Sequence, residues 1–329
     1  MKEAQQFGRL LTAMVTPFDR KGDVSVEGIR RVAEHLANTG TGTIVVAGTT
    51  GESPTLRRDE QGTEVDRMLL TETVLHTVGD RVKVIAGTGT YSTEESVRLS
   101  KLAKTEGVHG LLLVTPYYNR PPQEGLRQHF ATIAEAVDIP CMLYNVPSRT
   151  NINMSPDTVL WLDHNYPNII GLKEAIGITD TEGRLKEEAV KHVALIIEGK
   201  SEGFEVWSGN DSDTLPMMRM GAYGVVSVAS HLVGDLIRRM INHQIIGEEE
   251  HAQELHDHLM PLFDHLFPPT APVSSPASVK AMLNLTGIEV GDLRLPLVNV
   301  PESYRDRLQV LLADYNLVPT RESVTTATT

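Results

Sequence analysis

A chain of 329 residues, 40% of them apolar, can bury a large core, either as two ordinary domains or as one barrel with an appendage. Its formal net charge of −13 and the lack of any Lys/Arg run or basic-aromatic cluster exclude a nucleic-acid partner, because phosphate binding needs clustered positive charge, and a small soluble substrate is the expected ligand. Cys141 is the sole cysteine, which excludes an intrachain disulfide, and with neither a secretory-type apolar core near the start nor an apolar run of spanning length the chain is expected in the cytoplasm, with no membrane partner.

Short apolar, β-branched runs at residues 10–16, 43–47, 82–86, 110–115, 140–144, 169–173, 205–208 and 224–228 read as eight strands. Between them, residues 26–38, 59–78, 93–105, 123–137 and 155–165 carry apolar side chains at helical spacing. Such alternation predicts an α/β fold, a parallel sheet whose crossovers are helices. Eight βα units before residue 250 match a closed (β/α)8 TIM barrel better than a doubly wound open sheet, which usually has fewer strands and a phosphate-binding fingerprint after the first. Here the first strand is followed by Pro17-Phe18-Asp19. After the eighth strand, residues 235–246, 248–267, 278–285 and 302–315 read as helices without intervening strands, broken by a Pro-rich link over 268–276. The expected organisation is a barrel over 1–234, a C-terminal helical domain over 235–316 and a disordered tail over 317–329.

Barrel chemistry sits at the carboxyl ends of the strands, so what each strand ends in is informative. Strand two ends in Gly48-Thr49-Thr50-Gly51-Glu52, strand four in Thr115-Pro116-Tyr117-Tyr118-Asn119, strand five in Tyr144-Asn145-Val146-Pro147-Ser148-Arg149, strand six in Lys173-Glu174, and strand seven runs into Gly209-Asn210-Asp211. Hydroxyls, phenols, one lysine and one arginine converge there, with no His and carboxylate cluster suited to a metal. An inward lysine at such a place is shielded by helices outside and side chains within, and desolvation lowers its pKa. From an ordinary value of about 10.4, roughly one such amine in 2,500 is neutral at pH 7; a depression of about 3 units, worth about 4 kcal/mol, makes the nucleophilic form common. Lys173 can instead snorkel to solvent or pair with Glu174. Tyr144 ends the adjacent strand, within plausible reach of the same reacting atoms, and Thr49, Thr50 and Tyr118 can extend a hydroxyl chain, although turn and N-cap duty also accounts for the threonines. Arg149 offers a rigid fork for a carboxylate. Gly209 and Asn210 read equally as a tight turn.

Three other features carry less. Gly87-Thr88-Gly89 lacks the third glycine of a dinucleotide fingerprint. His251, His256, His258 and His265 do not line one face of their helix as i, i+4 metal ligands would. Cys141 reads as packing.

Taken together, the 48–56 segment, the 114–126 segment with Pro116-Tyr117-Tyr118-Asn119, Tyr144-Asn145-Val146-Pro147-Ser148-Arg149-Thr150 and Gly171-Leu172-Lys173-Glu174-Ala175 resemble the dihydrodipicolinate synthase family, in order and with family-like spacing over roughly residues 8 to 300. The resemblance implies a Schiff-base-forming lyase that condenses pyruvate with L-aspartate 4-semialdehyde on the route to diaminopimelate and lysine. No cofactor is implied beyond the covalent imine with pyruvate. Lys173 would form that imine and Tyr144 would donate and accept protons. Thr49 and Tyr118 would complete the relay, Tyr118 from a neighbouring subunit of a homotetramer built as a pair of tight dimers. Thr50 and the backbone around Val226 would hold pyruvate, with Gly209 and Asn210 also at the site, and Arg149 would hold the semialdehyde carboxylate.

Lysine-inhibited members similar to this chain often carry histidines shortly after the Gly-Thr-Thr-Gly-Glu motif and an asparagine after the Gly-Thr-Gly turn. This chain has Arg58, Gln61 and Tyr91 there and keeps Glu95, so weak or absent feedback by lysine is expected. The 191–203 segment looks longer than usual. The rival readings are another pyruvate-dependent lyase, acting on N-acetylneuraminate or a 2-keto-3-deoxy sugar acid, against which Arg149 speaks, and a non-catalytic barrel kept for binding, against which the intact Lys173, Tyr144, Thr49 and Tyr118 speak.

Overall fold

Eight parallel strands pair in chain order and close on themselves in a computed structural model that describes residues 4–268, 273 and 275–318: β1 (Leu10–Ala13), β2 (Thr43–Val46), β3 (Lys83–Gly87), β4 (Gly110–Val114), β5 (Cys141–Asn145), β6 (Ile169–Glu174), β7 (Glu205–Ser208) and β8 (Gly224–Ser227), which returns to β1. The predicted TIM barrel is therefore the fold. Its strands are short apolar runs because both faces are covered. Leu11, Val45, Ile85, Leu112, Met142, Trp207 and Val226 form the inner cluster, while Leu10, Ile44, Val84, Leu111 and Leu143 face out onto the helices.

The helices are α1 (Val26–Asn38), α2 (Val65–Val78), α3 (Thr93–Glu106), α4 (Gln123–Ala136), α5 (Pro147–Thr150), α6 (Pro156–Asn165), α7 (Glu187–Gly199), α8 (Thr214–Arg219), α9 (Ser230–Ile245), α10 (Glu249–Leu266), α11 (Ala277–Leu285) and α12 (Glu302–Asp314). Ser25, Ser92 and Ser155 cap α1, α3 and α6 by accepting the backbone N–H three residues on. The long second helix expected from residue 59 starts only at Val65. Asp59 Oδ1 accepts the N–H groups of Gln61 (3.0 Å) and Thr63 (2.7 Å), and this local turn wins over the helix. The 191–203 segment is largely the body of α7.

The expected boundary at 234 falls inside α9, one residue after a kink at Val233 (φ −131°, ψ 33°). Leu259, Leu262, Met282 and Leu308 of the C-terminal helices share one apolar cluster with the outer barrel layer. His231, at the start of α9, accepts the Val15 N–H on Nε2 (3.2 Å) and faces the Val228 carbonyl with Nδ1 (2.9 Å), joining that helix to the exits of β1 and β8; burial lowers its pKa to about 4, so it is neutral there. Most of the Pro-rich link, and the expected tail beyond residue 318, lie outside the described residues.

Candidate active site

Lys173 points into the barrel because β6 is irregular. Simple alternation would put it on the face of Ile169, which packs outward. Against β5, however, Cys141 pairs with Ile169 and Met142 with Gly171, so Ile170 is one residue too many. This bulge reverses the faces beyond it: Leu172 turns out and Lys173 turns in, opposite Tyr144 on one side and Trp207 on the other. Gly171 makes the bulge possible, since a Cβ there would lie 2.6 Å from both the Glu205 carbonyl oxygen and the Trp207 ring.

The result is a lysine only 5% exposed, its Nζ 4.3 Å from the centroid of the Tyr144 ring. Burial lowers its pKa to about 7, against the attraction of Asp211 and with help from the Arg149 charge. At neutral pH about half of such amines carry a free lone pair. Tyr144 is 6% exposed, and burial raises its phenol above the ordinary value, opposed by the Arg149 charge and by the Thr49 hydroxyl that hydrogen-bonds it. A nucleophilic amine and a protonated phenol thus face each other at the strand ends.

The other predicted residues fall in three places. Thr49 and buried Thr50 stand at the exit of β2, where a narrow pocket is lined by Gly48, Thr49, Gly87, Gly89, Val114 and Tyr144. Gly87 and Gly89 thereby have a role other than dinucleotide binding: a Cβ on either would come within 2.4 Å of the neighbouring strand's backbone, at Ala47 or Val114. Val226 lies in the inner cluster with Trp207. Gly209 must be glycine, as its Cβ would meet Ala175 at 2.5 Å, and Asn210 spends its amide on Asp213 (2.9 Å). Arg149 is exposed on α5, above the site. Tyr118 is 93% exposed at φ 74°, so it makes no part of its own chain's buried site.

Two buried carboxylates lie beside the lysine: Asp211, which the sequence did not single out, and Glu174, which it offered only as an ion partner of Lys173. Asp211 accepts the Ser227 hydroxyl (2.5 Å) and the N–H groups of Val228 and Ala229 (both 3.0 Å), fixing the exit of β8 next to Val226; burial raises its pKa, and those three donors pull it down. Glu174, which follows the lysine, takes the Asn145 amide on both oxygens (2.9 and 3.0 Å), the Ile176 N–H (2.9 Å) and His192 (3.2 Å), so it is not the lysine's ion partner. A third, Glu52, is tied to the C-terminal region by Lys280 (2.7 Å) and the Arg294 N–H (3.1 Å). Their only sequence signal is a charged residue at the end of an apolar strand.

A model of the dihydrodipicolinate synthetase family matches residues 6–315. The chain is 49% identical to the 4-hydroxy-tetrahydrodipicolinate synthase of Symbiobacterium thermophilum, over 94% of this chain and 98% of that protein. Among solved structures, it is similar to dihydrodipicolinate synthase from Bacillus anthracis, with a TM-score of 0.84 and 42% identity over 95% of this chain and 99% of that one. The enzyme from Cyanidioschyzon merolae with lysine bound gives 0.87 and 41%, with the same coverage.

Proposed function

Since the chain belongs to the dihydrodipicolinate synthetase family, we propose that its condensation of pyruvate with L-aspartate 4-semialdehyde runs through an imine on Lys173, with Tyr144 moving the protons. The observation that carries this is the bulge-turned Lys173, buried, lowered to about 7 and set against the Tyr144 ring. The neutral amine adds to the pyruvate carbonyl carbon. Tyr144 gives a proton to the departing hydroxyl, so water leaves and an iminium forms. The methyl carbon then loses a proton to the phenolate, giving an enamine, whose carbon bonds to the aldehyde carbon of the second substrate while Tyr144 returns the proton to the aldehyde oxygen, which becomes the hydroxyl. Attack of that substrate's own amine on the imine carbon closes the ring and frees Lys173. The protonated imine formed with Lys173 is the electron sink, so this reading calls for no cofactor.

In this reading Thr49 supports the phenol from the β2 exit, Thr50 and the backbone near Val226 hold pyruvate with Gly209 and Asn210, and Arg149 takes the semialdehyde carboxylate; the Thr49–Tyr144 hydrogen bond and the exposure of Arg149 support it. The exposure of Tyr118 supports its joining a neighbouring subunit's relay in a homotetramer. We assign the reaction to the cytoplasm; among the described residues no helix is long and apolar enough to cross a membrane. The expected kinetic signature of the phenol is a loss of about 10²–10⁴-fold in kcat for Tyr144→Phe, read in a coupled assay. Wild-type activity in that assay tests the function itself, and faster cleavage of N-acetylneuraminate or a 2-keto-3-deoxy sugar acid would reverse the choice of substrate.

Feedback by lysine is expected to be weak or absent. An incoming ammonium needs a carboxylate, and Glu95 is already paired with both Arg58 and Arg98 (2.8 Å), which also pair with buried Glu64. Half-inhibition at submillimolar lysine in a steady-state assay would contradict this.

A further inference from the structure

The turn between α9 and α10 gathers three metal-ligating side chains from its two flanking helix ends. His243 stands in the last turn of α9, Glu248 caps α10 and His251 lies in its first turn. His243 Nδ1 lies 2.5 Å from Glu248 Oε2, and His251 Nδ1 lies 3.6 Å from the same oxygen. All three ligand atoms fall within 4.8 Å of one another, the one such group of three among the described residues. The two imidazole rings face each other with centroids 5.3 Å apart at 40°.

We propose that His243, Glu248 and His251 form a surface site for a divalent transition-metal ion of the zinc or nickel class, which clamps α9 to α10. Two imidazole nitrogens and one carboxylate oxygen suit such ions and not magnesium or calcium, which favour oxygen alone. With metal–ligand bonds of about 2.0–2.1 Å, tetrahedral geometry spaces its ligands about 3.4 Å apart. The three atoms therefore need shifts of roughly 1 Å or less, on side chains that are 26%, 46% and 62% exposed and free to make them. The backbone around them is already fixed: the Ile246 N–H donates to the Asn242 carbonyl (3.1 Å) and the Glu248 N–H to that of His243 (2.9 Å), while Gly247 takes the φ of 81° that reverses the chain. Glu249 and Glu250 follow in a chain of net charge −13, so the local field favours a cation. Open positions on the ion go to water.

The other histidines of α10 lie away from this cluster. His258 packs on the Tyr315 ring at 4.9 Å, His265 Nδ1 meets the Pro261 carbonyl at 2.7 Å, and His256 is buried. Spacing along α10 alone could not show the site, because only Glu248, its N-cap, lies on the same helix as His251, while His243 comes from α9 across the turn.

The test uses the tag-free full chain after chelator dialysis, titrated with zinc chloride by calorimetry, with thermal unfolding followed in parallel. The expected result is one ion per chain with a dissociation constant at or below roughly 100 μM, and an apparent Tm that rises with zinc. His243→Gln and His251→Gln should each weaken binding by about 10-fold or more and abolish the Tm rise, while circular dichroism and activity stay at the parent level. No binding at that concentration, or binding unchanged in both variants, overturns the assignment and leaves a hydrogen-bonded His243–Glu248 pair.

Discussion

Lys173→Ala is expected to lower kcat/KM for the condensation by roughly 10⁴-fold or more while leaving the barrel folded, because the variant loses the amine proposed to form the imine. Borohydride reduction with pyruvate should label one peptide of the parent, the one containing Lys173, and none of the variant. Arginine cannot substitute, since its guanidinium stays protonated at any working pH. With the Lys173 pKa lowered to about 7, the rate of imine formation in the parent should rise from pH 6 to 8 and then level. The same depression has a consequence for stability. Between about pH 7 and the ordinary lysine value near 10.4 the unfolded chain binds a proton that the folded chain does not, so stability contributed by this group rises with pH across that window. A label on another lysine, or a flat profile from pH 6 to 8, would remove the amine from the reaction.

The barrel was legible because its signal is repetitive: eight apolar runs at regular spacing, each with a helical partner, survive errors of a few residues at any one end. Lys173 and Tyr144 were legible because polar groups ending buried strands are chemically conspicuous. What could not be read were contacts joining distant residues. The extra residue at Ile170, which decides that Lys173 faces inward, leaves a run, Ile169 to Lys173, that looks like any other buried strand. The early start proposed for α2 failed on the Asp59 turn, a short-range competition that a count of apolar positions ignores. Asp211 passed as loop because its donors, Ser227 to Ala229, lie on the next strand and its exit. Tyr118 stands out in the sequence, yet one chain gives it no partner in the buried site.

Glu52 illustrates the same gap with larger energetic consequences. It ends the Gly-Thr-Thr-Gly-Glu segment at φ 55°, 1% exposed, and its countercharge arrives from α11, 228 residues away. Lys280, also 1% exposed, donates to Glu52 (2.7 Å) and to the Asp292 carbonyl (2.9 Å), with Nζ 4.2 Å from the centroid of the Phe18 ring; burial lowers its pKa while Glu52 pulls it back. Beside it Arg294 pairs with Asp66 (2.5 Å) and donates to the Thr55 carbonyl (2.8 Å). The loop bearing Thr49 and Thr50 is thus held by the C-terminal helices through charge. Removing one member of a buried pair strands the other, so Lys280→Met should cost about 3–5 kcal/mol, read as a lowered denaturation midpoint at fixed protein concentration. Glu52→Gln in the same chain keeps an acceptor for the Arg294 N–H without the stranded charge, so the double variant should recover much of that loss. Where the single variant still folds, KM for pyruvate should rise more than kcat falls, since Thr50 on that loop is proposed to hold pyruvate and Lys173 is untouched. A single-variant cost below about 1 kcal/mol, or a double variant no better than the single, would mean that the Glu52 charge is compensated without Lys280.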